Sequence, residues 1–389
     1  MGDSFISGEG AGAYVAVPDT SGTPQGFPGW AADNSNAFFC HRSANASIEV
    51  ANLPGIDARF NVACSGGQPY DMANPSASRA SGRHVAAQIE QLRAVATTHD
   101  IDLVLIGLGS NNSTFTFGAA AADCAGRFIA DAYIGWWEFW VPLINWITGE
   151  TSNQNECRNS DLATASEFAA AQAETVAAAR EILLALDEID ADGEHRVVFQ
   201  SYTNPLPEDY ASEYHNEDGR SDTRDKFRAL ARERYAAGCP AHRGSLPAAH
   251  YFSAGLGDLV AGVHATLAAE FPGKDLVALD VQRAFDGARL CENGGSPGNA
   301  LATPVRLQDK SGGQPTGVPI TSLSGFDKLD ISRVQNVCTD WFQTCQESWH
   351  PNAAGHAVLG QCLTGAWSAS VSSLRCQRAG NGAISVDPG

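Results

Sequence analysis

A nearly continuous apolar run at residues 101–106 constrains the fold of this chain more than any other feature. It reads Ile-Asp-Leu-Val-Leu-Ile and ends in the polar, glycine-rich turn of residues 107–112. A run of this kind is typical of a parallel strand that is covered on both faces. A polar turn at the carboxyl end of such a strand is where open α/β sheets bind their ligands. The run therefore predicts an α/β fold with a site at one edge of the sheet.

Strand and helix patterns alternate along the rest of the chain, which predicts a doubly wound, mostly parallel sheet. No composition break or internal repeat divides the sequence, so we expect a single domain over residues 1–389, with long insertions at about 13–57, 113–160 and 292–345. The predicted strands cover residues 58–64, 101–106, 196–200 and 275–281. The predicted helices cover residues 82–98, 162–186, 223–237, 256–271 and 351–367.

The net charge excludes one class of partner. Asp and Glu number 44 against 25 Lys and Arg, which gives a formal net charge of −19 at pH 7. A surface of that sign repels polyanions, so we expect no nucleic-acid partner.

Ten scattered cysteines indicate the compartment. None forms a Cys-x-x-Cys pair and few lie near a histidine, so we expect no structural zinc site. An even number of scattered cysteines favours disulfides between near neighbours and a secreted protein, the alternative being ten reduced, buried thiols. The cysteines are Cys40, Cys64, Cys124, Cys157, Cys239, Cys291, Cys338, Cys345, Cys362 and Cys376.

The first eleven residues, Met-Gly-Asp-Ser-Phe-Ile-Ser-Gly-Glu-Gly-Ala, place a serine among small neighbours. Small residues let the backbone bend sharply and leave Ser4 at the mouth of a helix, where main-chain amides face a developing oxyanion. The same residues also fit a flexible, glycine-rich amino terminus. Three later segments favour a nucleophile.

Residues 133–148 contain four tryptophans, and their apolar side chains fall on nearly all sides of a helix. The stretch is too short to cross a membrane. It predicts either a buried helix or hairpin beside the core, or an apolar lid near the site. In the second case we expect Trp136, Trp137 and Trp140 to contact a lipid interface transiently.

Four segments, in order, resemble the sequence blocks of the SGNH (GDSL) hydrolase family. Residues 2–10 look like the nucleophile block, and residues 63–66 (Ala-Cys-Ser-Gly) look like the block whose glycine donates an amide to the oxyanion. Residues 109–111 (Gly-Ser-Asn) are similar to the block whose asparagine adds a second donor. Residues 350–352 (His-Pro-Asn), followed by Gly355 and His356, resemble the block with the general base. The resemblance implies a three-layer, flavodoxin-like α/β/α fold.

The resemblance also implies the role of each site residue. Ser4 is the nucleophile, and His350 takes its proton. The amides of Ser4 and Gly66 and the side chain of Asn111 form the oxyanion hole. His356, further along the helix, is structural. A hydrolase of this kind needs no metal or cofactor, and we expect a monomer.

Two positions depart from the family pattern. Asp usually stands three residues before the histidine, where this chain has Glu347, while the similar lipases use a backbone carbonyl two residues before it, here that of Ser348. Either Glu347 or the Ser348 carbonyl therefore orients His350. Asn112 stands where Asp is common and alters how the turn is held.

Within that family the chain looks like the secreted, disulfide-bonded actinobacterial lipases and esterases. The similarity lies in residues 40–43 (Cys-His-Arg-Ser), residues 63–66, and residues 285–287 (Phe-Asp-Gly) with Cys291. This resemblance favours the disulfides Cys40–Cys64, Cys124–Cys157 and Cys239–Cys291, with Cys338–Cys345 and Cys362–Cys376 as the remaining pairs.

The amino terminus departs further. In the family a central strand leads into Gly-Asp-Ser, whereas only Met1 precedes these residues here. A sheet without that strand exposes backbone ladder groups and apolar surface. We therefore expect an N-terminally shortened form of a longer protein. The alternative is that residues 384–386 occupy the position of the missing central strand.

The leading hypothesis is a secreted serine esterase or lipase that hydrolyses carboxylic esters. One alternative is a carbohydrate deacetylase or phospholipase of the same fold, because one fold carries several ester chemistries. The other alternative is a catalytically impaired binding homologue. The three hypotheses differ in whether Ser4 is activated and in which ester it attacks.

Overall fold

The computed structural model describes residues 1–15, 40–77, 84–117, 120, 157–189, 195–208, 245–289, 292 and 350–389. The strands are β1 (Ser76–Ala77), β2 (His84–Val85), β3 (Leu103–Ile106), β4 (Arg196–Gln200), β5 (Asp275–Arg283), β6 (Ser373–Arg378) and β7 (Ile384–Pro388). The helices are α1 (Ser4–Ser7), α2 (Ser47–Val50), α3 (Gln88–Ala96), α4 (Asn159–Leu162), α5 (Ala165–Ile189), α6 (Leu246–Glu270) and α7 (Ala353–Ser368), with a 3₁₀ helix at Pro69–Met72.

A five-stranded sheet runs through the centre of the molecule. Its strand order is β3-β4-β5-β6-β7, the first four strands are parallel, and β7 pairs antiparallel with β6. The central positions of β4, Val197 and Val198, are completely buried. A strand buried at successive positions is covered on both faces, as the apolar runs predict. The predicted α/β fold with a mostly parallel sheet is confirmed.

Helices cover both faces of this sheet. Residues three positions apart on a strand point to opposite faces. The ring of Phe199 lies 6.1 Å from that of His264 on α6, while Arg196 reaches the carboxyl end of α7. Helix α5 packs on α6, and α2 packs on α7. The architecture is therefore the expected α/β/α sandwich.

Residues 58–64 do not form a strand, and that prediction is wrong. A side chain hydrogen-bonds the backbone carbonyls that pairing with a neighbouring strand would need. The guanidinium of Arg42 donates to the carbonyl of Val62 at 2.9 Å and to that of Ala63 at 2.7 Å. From this extended loop Val62 and Ala63 pack into the core, while the side chain of Phe60 is exposed.

Several helix boundaries differ from the prediction. The helix predicted at 82–98 shortens to α3, since residues 84–85 pair as β2. Helix α6 begins at Leu246 rather than at residue 256, with a proline in its first turn. Helix α7 begins two residues after Pro351, because the Asn352 side chain caps it by accepting the N–H of Gly355 at 3.0 Å. The helix predicted at 223–237 lies outside the described residues.

Helix α6 is long and apolar enough to cross a membrane by length and composition. Within the fold, however, it packs against α5, β4 and β5. It buries a stripe of leucine, valine and phenylalanine side chains in these contacts. The apolar character of α6 is thus accounted for by its place in the core.

The position beside β3, where the family's central strand would lie, is not occupied by the carboxyl terminus. Residues 384–386, the alternative occupant, belong to β7 at the opposite edge of the sheet, so that prediction is wrong. At the β3 edge, Gly2 forms a parallel bridge with Gly107, and the Met1 ammonium donates to the Leu105 carbonyl at 2.7 Å. A cavity of about 350 Å³ lies along this edge between β3, α3 and residues 53–62. The shortened amino terminus stays a prediction, as does the single-domain organisation.

Two of the expected disulfides join described residues. Cys40–Cys64 links the segment before α2 to the loop before the 3₁₀ helix, and Cys362–Cys376 links α7 to β6. Cys157 is also disulfide-bonded, and its predicted partner Cys124 lies outside the described residues. The pairs Cys239–Cys291 and Cys338–Cys345 lie outside them as well.

Replacing Arg196 with Met should lower the free energy of unfolding by about 1–3 kcal/mol, measured by urea unfolding. One of its guanidinium nitrogens donates to the carbonyls of Ala366, Trp367 and Ala369 at the end of α7, at 2.8, 2.9 and 2.7 Å. Asp275→Asn is the matched control, because it removes only the half-exposed ion pair of the same guanidinium and should cost less than about 1 kcal/mol. Equal losses in the two variants would contradict the capping role.

Candidate active site

The turn that carries Ser4 is set by the residues around it. Asp3 caps α1 by accepting the N–H of Phe5 at 3.1 Å, and Gly8 ends the helix in a left-handed conformation with φ of 96°. One helical turn between a cap and a glycine leaves Ser4 as its first residue. The predicted tight turn at the mouth of a helix is present.

Ser4 and His350, predicted from opposite ends of the sequence, lie side by side. His350 Nε2 is 2.8 Å from Ser4 Oγ, and each residue is only 4% exposed. The imidazole also lies against two aromatic rings, with centroid distances of 5.0 Å to Phe5 and 5.3 Å to Phe117. This geometry allows direct proton transfer from the hydroxyl to the imidazole.

Asp3 joins the Ser4 turn to the segment that carries Asn111. Its carboxylate accepts the hydroxyl of Ser110 at 2.6 Å and that of Tyr202 at 2.5 Å. Complete burial raises the pKa of Asp3 to about 6, against the opposing effect of these hydrogen bonds. Tyr202 is also completely buried, and this burial together with the nearby charge of Asp3 raises the pKa of Tyr202 well above its usual value. Residue 110 is thereby held against residue 3.

The Asn111 segment is shaped by its neighbour Asn112. The Asn112 side chain accepts the N–H groups of Thr114 and Phe115 at 2.8 and 3.0 Å and donates to the Gly109 carbonyl at 3.2 Å. An amide holds this turn with both its acceptor and its donor, which Asp cannot do. Asn111 is nearly buried, and within the described residues its side chain makes no hydrogen bond.

The Gly66 turn lies against the start of the chain. The N–H of Cys64 donates to the carbonyl of Gly2 at 3.2 Å, and the N–H of Gly67 closes the turn on the Cys64 carbonyl at 2.9 Å. Gly66 adopts φ of 73°, a conformation that favours glycine, and is exposed. The turn thus presents the backbone of residue 66 to solvent beside the segment that carries Ser4.

A buried carboxylate–imidazole pair, Glu9 and His41, adjoins these segments. His41 Nδ1 lies 2.7 Å from both carboxylate oxygens of Glu9, and the Ser65 hydroxyl donates to the same carboxylate. Burial acts to raise the pKa of Glu9, but the charge and hydrogen bond of His41 outweigh it, so the pKa of Glu9 lies below its usual value. Tyr14 stacks on His41 at a centroid distance of 4.8 Å.

The sequence reasoning missed four of these residues: Glu9, His41, Phe117 and Tyr202. Glu9 and His41 stand inside the segments used for the resemblance, so their positions carried a signal. Phe117 and Tyr202 follow predicted strands but have no spacing that would tie them to the site. Glu347, Ser348 and the Trp136–Trp140 stretch lie outside the described residues, so their predicted roles stay predictions.

No group of three or more His, Cys, Asp or Glu that could hold a metal ion occurs in the described parts of the chain.

Two solved structures are similar to this chain. The extracellular lipase of Streptomyces rimosus has a TM-score of 0.38 and 19% identity, with 91% of this chain and 92% of that chain covered. Phospholipase A1 of Streptomyces albidoflavus NA297 has a TM-score of 0.41 and 15% identity, with 92% of both chains covered. No protein-family model and no curated protein matches the chain. Both TM-scores are below 0.5, so we assign no function from these similarities.

His356 packs behind the site, where it is completely buried and its Nδ1 accepts the N–H of Ser47 at 3.2 Å. Burial, with the nearby charge of His350, lowers the pKa of His356 to about 3. The unfolded histidine titrates near its usual pKa of about 6.5. Between these values the unfolded chain binds more protons than the folded one, so stability rises with pH.

His356→Asn, which keeps an acceptor for Ser47, should remove about 1.4 kcal/mol per pH unit from the pH dependence of the free energy of unfolding between about pH 4 and about pH 6. Urea unfolding at several pH values measures this slope. The exposed His99 provides the matched control as His99→Asn, which should keep the slope of the unmodified chain. A His356→Asn slope equal to that of the unmodified chain would rule out the proton linkage.

Proposed function

We propose that this chain is a serine hydrolase that cleaves carboxylic esters, an esterase or lipase. The observation that carries the proposal is the 2.8 Å contact between His350 Nε2 and Ser4 Oγ, both nearly buried. An alcohol is a weak nucleophile at neutral pH, and a base within hydrogen-bond reach is what activates it. His350 and Ser4 are 346 positions apart in the sequence. A histidine with only a structural role at the start of a helix would not need this contact with a distant serine.

In the proposed reaction Ser4 Oγ attacks the ester carbonyl carbon while His350 Nε2 takes the hydroxyl proton. The tetrahedral intermediate collapses as the bond to the alcohol breaks, and His350 returns the proton to the leaving alcohol. A water molecule then attacks the acyl carbon while His350 takes its proton. The bond between that carbon and Ser4 Oγ breaks, His350 returns the proton to Ser4 Oγ, and the acid is released. The rings of Phe5 and Phe117 exclude bulk water from one side of the imidazole.

The negative charge on the carbonyl oxygen is stabilised by the amides of Ser4 and Gly66 and by the Asn111 side chain. Three observations support this assignment. Ser4 is the first residue of α1, where N–H groups have no partner within the helix. The Gly66 turn is hydrogen-bonded to Gly2, and the residue before Asn111 is hydrogen-bonded to Asp3.

A largely buried aromatic cluster makes one side of the imidazole apolar, which supports acyl groups over polar substituents in the substrate. Phe117 adjoins His350, and Phe115, Phe168 and Phe252 continue the cluster through edge-to-face and tilted contacts of 5.1 to 6.5 Å. The disulfides Cys40–Cys64 and Cys362–Cys376 support secretion, because such bonds persist in oxidising compartments.

A fluorophosphonate probe tests the proposal directly. Its phosphorus bonds to an activated serine oxygen as fluoride leaves, so we expect mass spectrometry to find the adduct on Ser4. Ser4→Ala should abolish labelling, and His350→Asn should lower both the labelling rate and kcat for p-nitrophenyl esters at least about a thousandfold. An unlabelled, folded wild-type chain would instead favour the impaired binding homologue.

Substrate choice is tested on the same preparation. We expect p-nitrophenyl esters of longer acyl chains to be hydrolysed with higher kcat/KM than the acetate. Phosphatidylcholine and acetylated xylan are the comparison substrates. Preferential release of acetate from xylan would identify a carbohydrate deacetylase, and preferential hydrolysis of phosphatidylcholine a phospholipase.

Asn111→Ala should lower kcat by about 10²–10³-fold with little change in KM, because an oxyanion donor acts mainly in the transition state. Steady-state hydrolysis of a p-nitrophenyl ester measures both constants. Asn74→Ala, which removes an exposed side-chain hydrogen bond to Tyr70, is the control and should leave both constants unchanged. A rise in KM without loss of kcat would assign Asn111 to substrate binding.

A further inference from the structure

Glu9 is a completely buried carboxylate that the hydrolytic steps above do not use. It lies five residues after the nucleophile, and its backbone N–H donates to the Ser4 carbonyl at 3.1 Å. Taking a carboxylate out of water is unfavourable unless it is paired and hydrogen-bonded.

The partners of Glu9 come from two other segments of the chain. His41 follows Cys40, and Ser65 follows Cys64, so the two residues flank the disulfide Cys40–Cys64. The Ser65 N–H also donates to the Cys40 carbonyl at 3.0 Å. The carboxylate therefore ties the nucleophile turn to both sides of the disulfide.

Ser65 immediately precedes Gly66, whose amide is assigned to the oxyanion hole. A Cβ built on Gly66 would meet no atom within 4 Å, so side-chain packing does not hold the outer side of this turn. On the inner side of the turn, the Ser65 hydroxyl donates to the carboxylate of Glu9, and the backbone N–H of Glu9 donates to the Ser4 carbonyl. A hydrogen bond to an ionised carboxylate is about twice as strong as one between neutral groups.

The ionisation state of Glu9 suits it to accept the hydrogen bond from the Ser65 hydroxyl. The pKa of Glu9 lies below its usual value despite burial, because His41 pairs with it and His350 also contributes favourable charge. An ionised Glu9 at neutral pH accepts hydrogen bonds only, so it fixes the direction of the Ser65 hydroxyl.

We propose that Glu9 is a positioning residue for the oxyanion hole, which acts through the Ser65 hydroxyl to hold the Gly66 amide at a fixed place relative to Ser4. The inference rests on the proposed hydrolase function. Because a donor must meet the oxyanion at hydrogen-bond distance in the transition state, a small displacement of residue 66 lowers kcat and leaves KM nearly unchanged.

Ser65→Ala is the first test, because it removes the hydroxyl and leaves the Glu9–His41 pair in place. We expect kcat for a p-nitrophenyl ester to fall about 10- to 100-fold, with KM within about threefold of the wild-type value. Ser65→Thr keeps a hydroxyl and should recover most of the loss. Thermal unfolding should show a small change at most, since Ser65 is only half-buried.

Glu9→Gln completes a double-mutant cycle. If Glu9 acts through Ser65, adding Ser65→Ala to Glu9→Gln should lower kcat by less than about twofold further. Leu267→Ala is the matched control for lost stability, since it removes a completely buried side chain near the carboxyl end of α6 that the proposed site does not use, and it should leave kcat unchanged at temperatures where the chain is folded.

Fluorophosphonate labelling separates the two ways in which this proposal can fail. If wild-type chain is not labelled and does not hydrolyse esters, the proposed function is wrong and this inference is wrong with it. If wild-type chain is labelled and active but Ser65→Ala keeps kcat within twofold, this inference alone is overturned. Losses that multiply in the double mutant would also overturn it, because Glu9 and Ser65 would then act independently.

Discussion

The close approach of Gly2 to Gly107 is the contact on which the site depends. The two residues form a parallel bridge, and the N–H of Asp3 donates to the Gly107 carbonyl at 3.1 Å. A Cβ on Gly2 would lie 2.0 Å from the Gly107 carbonyl oxygen, so only glycine permits this approach. Ser4 follows two residues later and is therefore delivered to the carboxyl end of β3, where an open α/β sheet binds its ligands.

Buried carboxylates organise the residues around that contact. Asp3 accepts hydrogen bonds from Ser110 and Tyr202. Glu9 pairs with His41 and accepts a hydrogen bond from Ser65. Each carboxylate is completely buried and accepts several hydrogen bonds, which compensates for its lost hydration. The pKa values of the two carboxyls move in opposite directions: burial raises the pKa of Asp3 to about 6, whereas the interaction with His41 outweighs burial and keeps the pKa of Glu9 below its usual value.

The other half of the site depends on the placement of α7. His350 stands three residues before this helix, and the Asn352 cap fixes where the helix begins. Arg196, at the amino end of β4, holds the opposite end of α7 through three carbonyls. Helix α2, just after the His41 segment, packs on the same helix. The imidazole is thus positioned by contacts that come from distant parts of the sequence.

The sequence determined the local features of this protein. Apolar runs at residues 101–106 and 196–200 became buried parallel strands, and the small residues around Ser4 became a tight turn, because local sterics and burial on both faces govern such features. Pattern failed at residues 58–64, because Arg42 occupies their backbone carbonyls, and it missed β6, which alternates polar and apolar residues over only its first four positions.

Only the tertiary structure decided which distant groups meet. Spacing along the chain does not place the ring of His350 2.8 Å from Ser4 Oγ, and it does not bring Glu9 to Ser65. These contacts follow from the packing of α7 and of the disulfide-linked Cys40 and Cys64 segments around the start of the chain. The residue types of the candidate site were readable in the sequence, whereas their partners depended on how the folded layers pack.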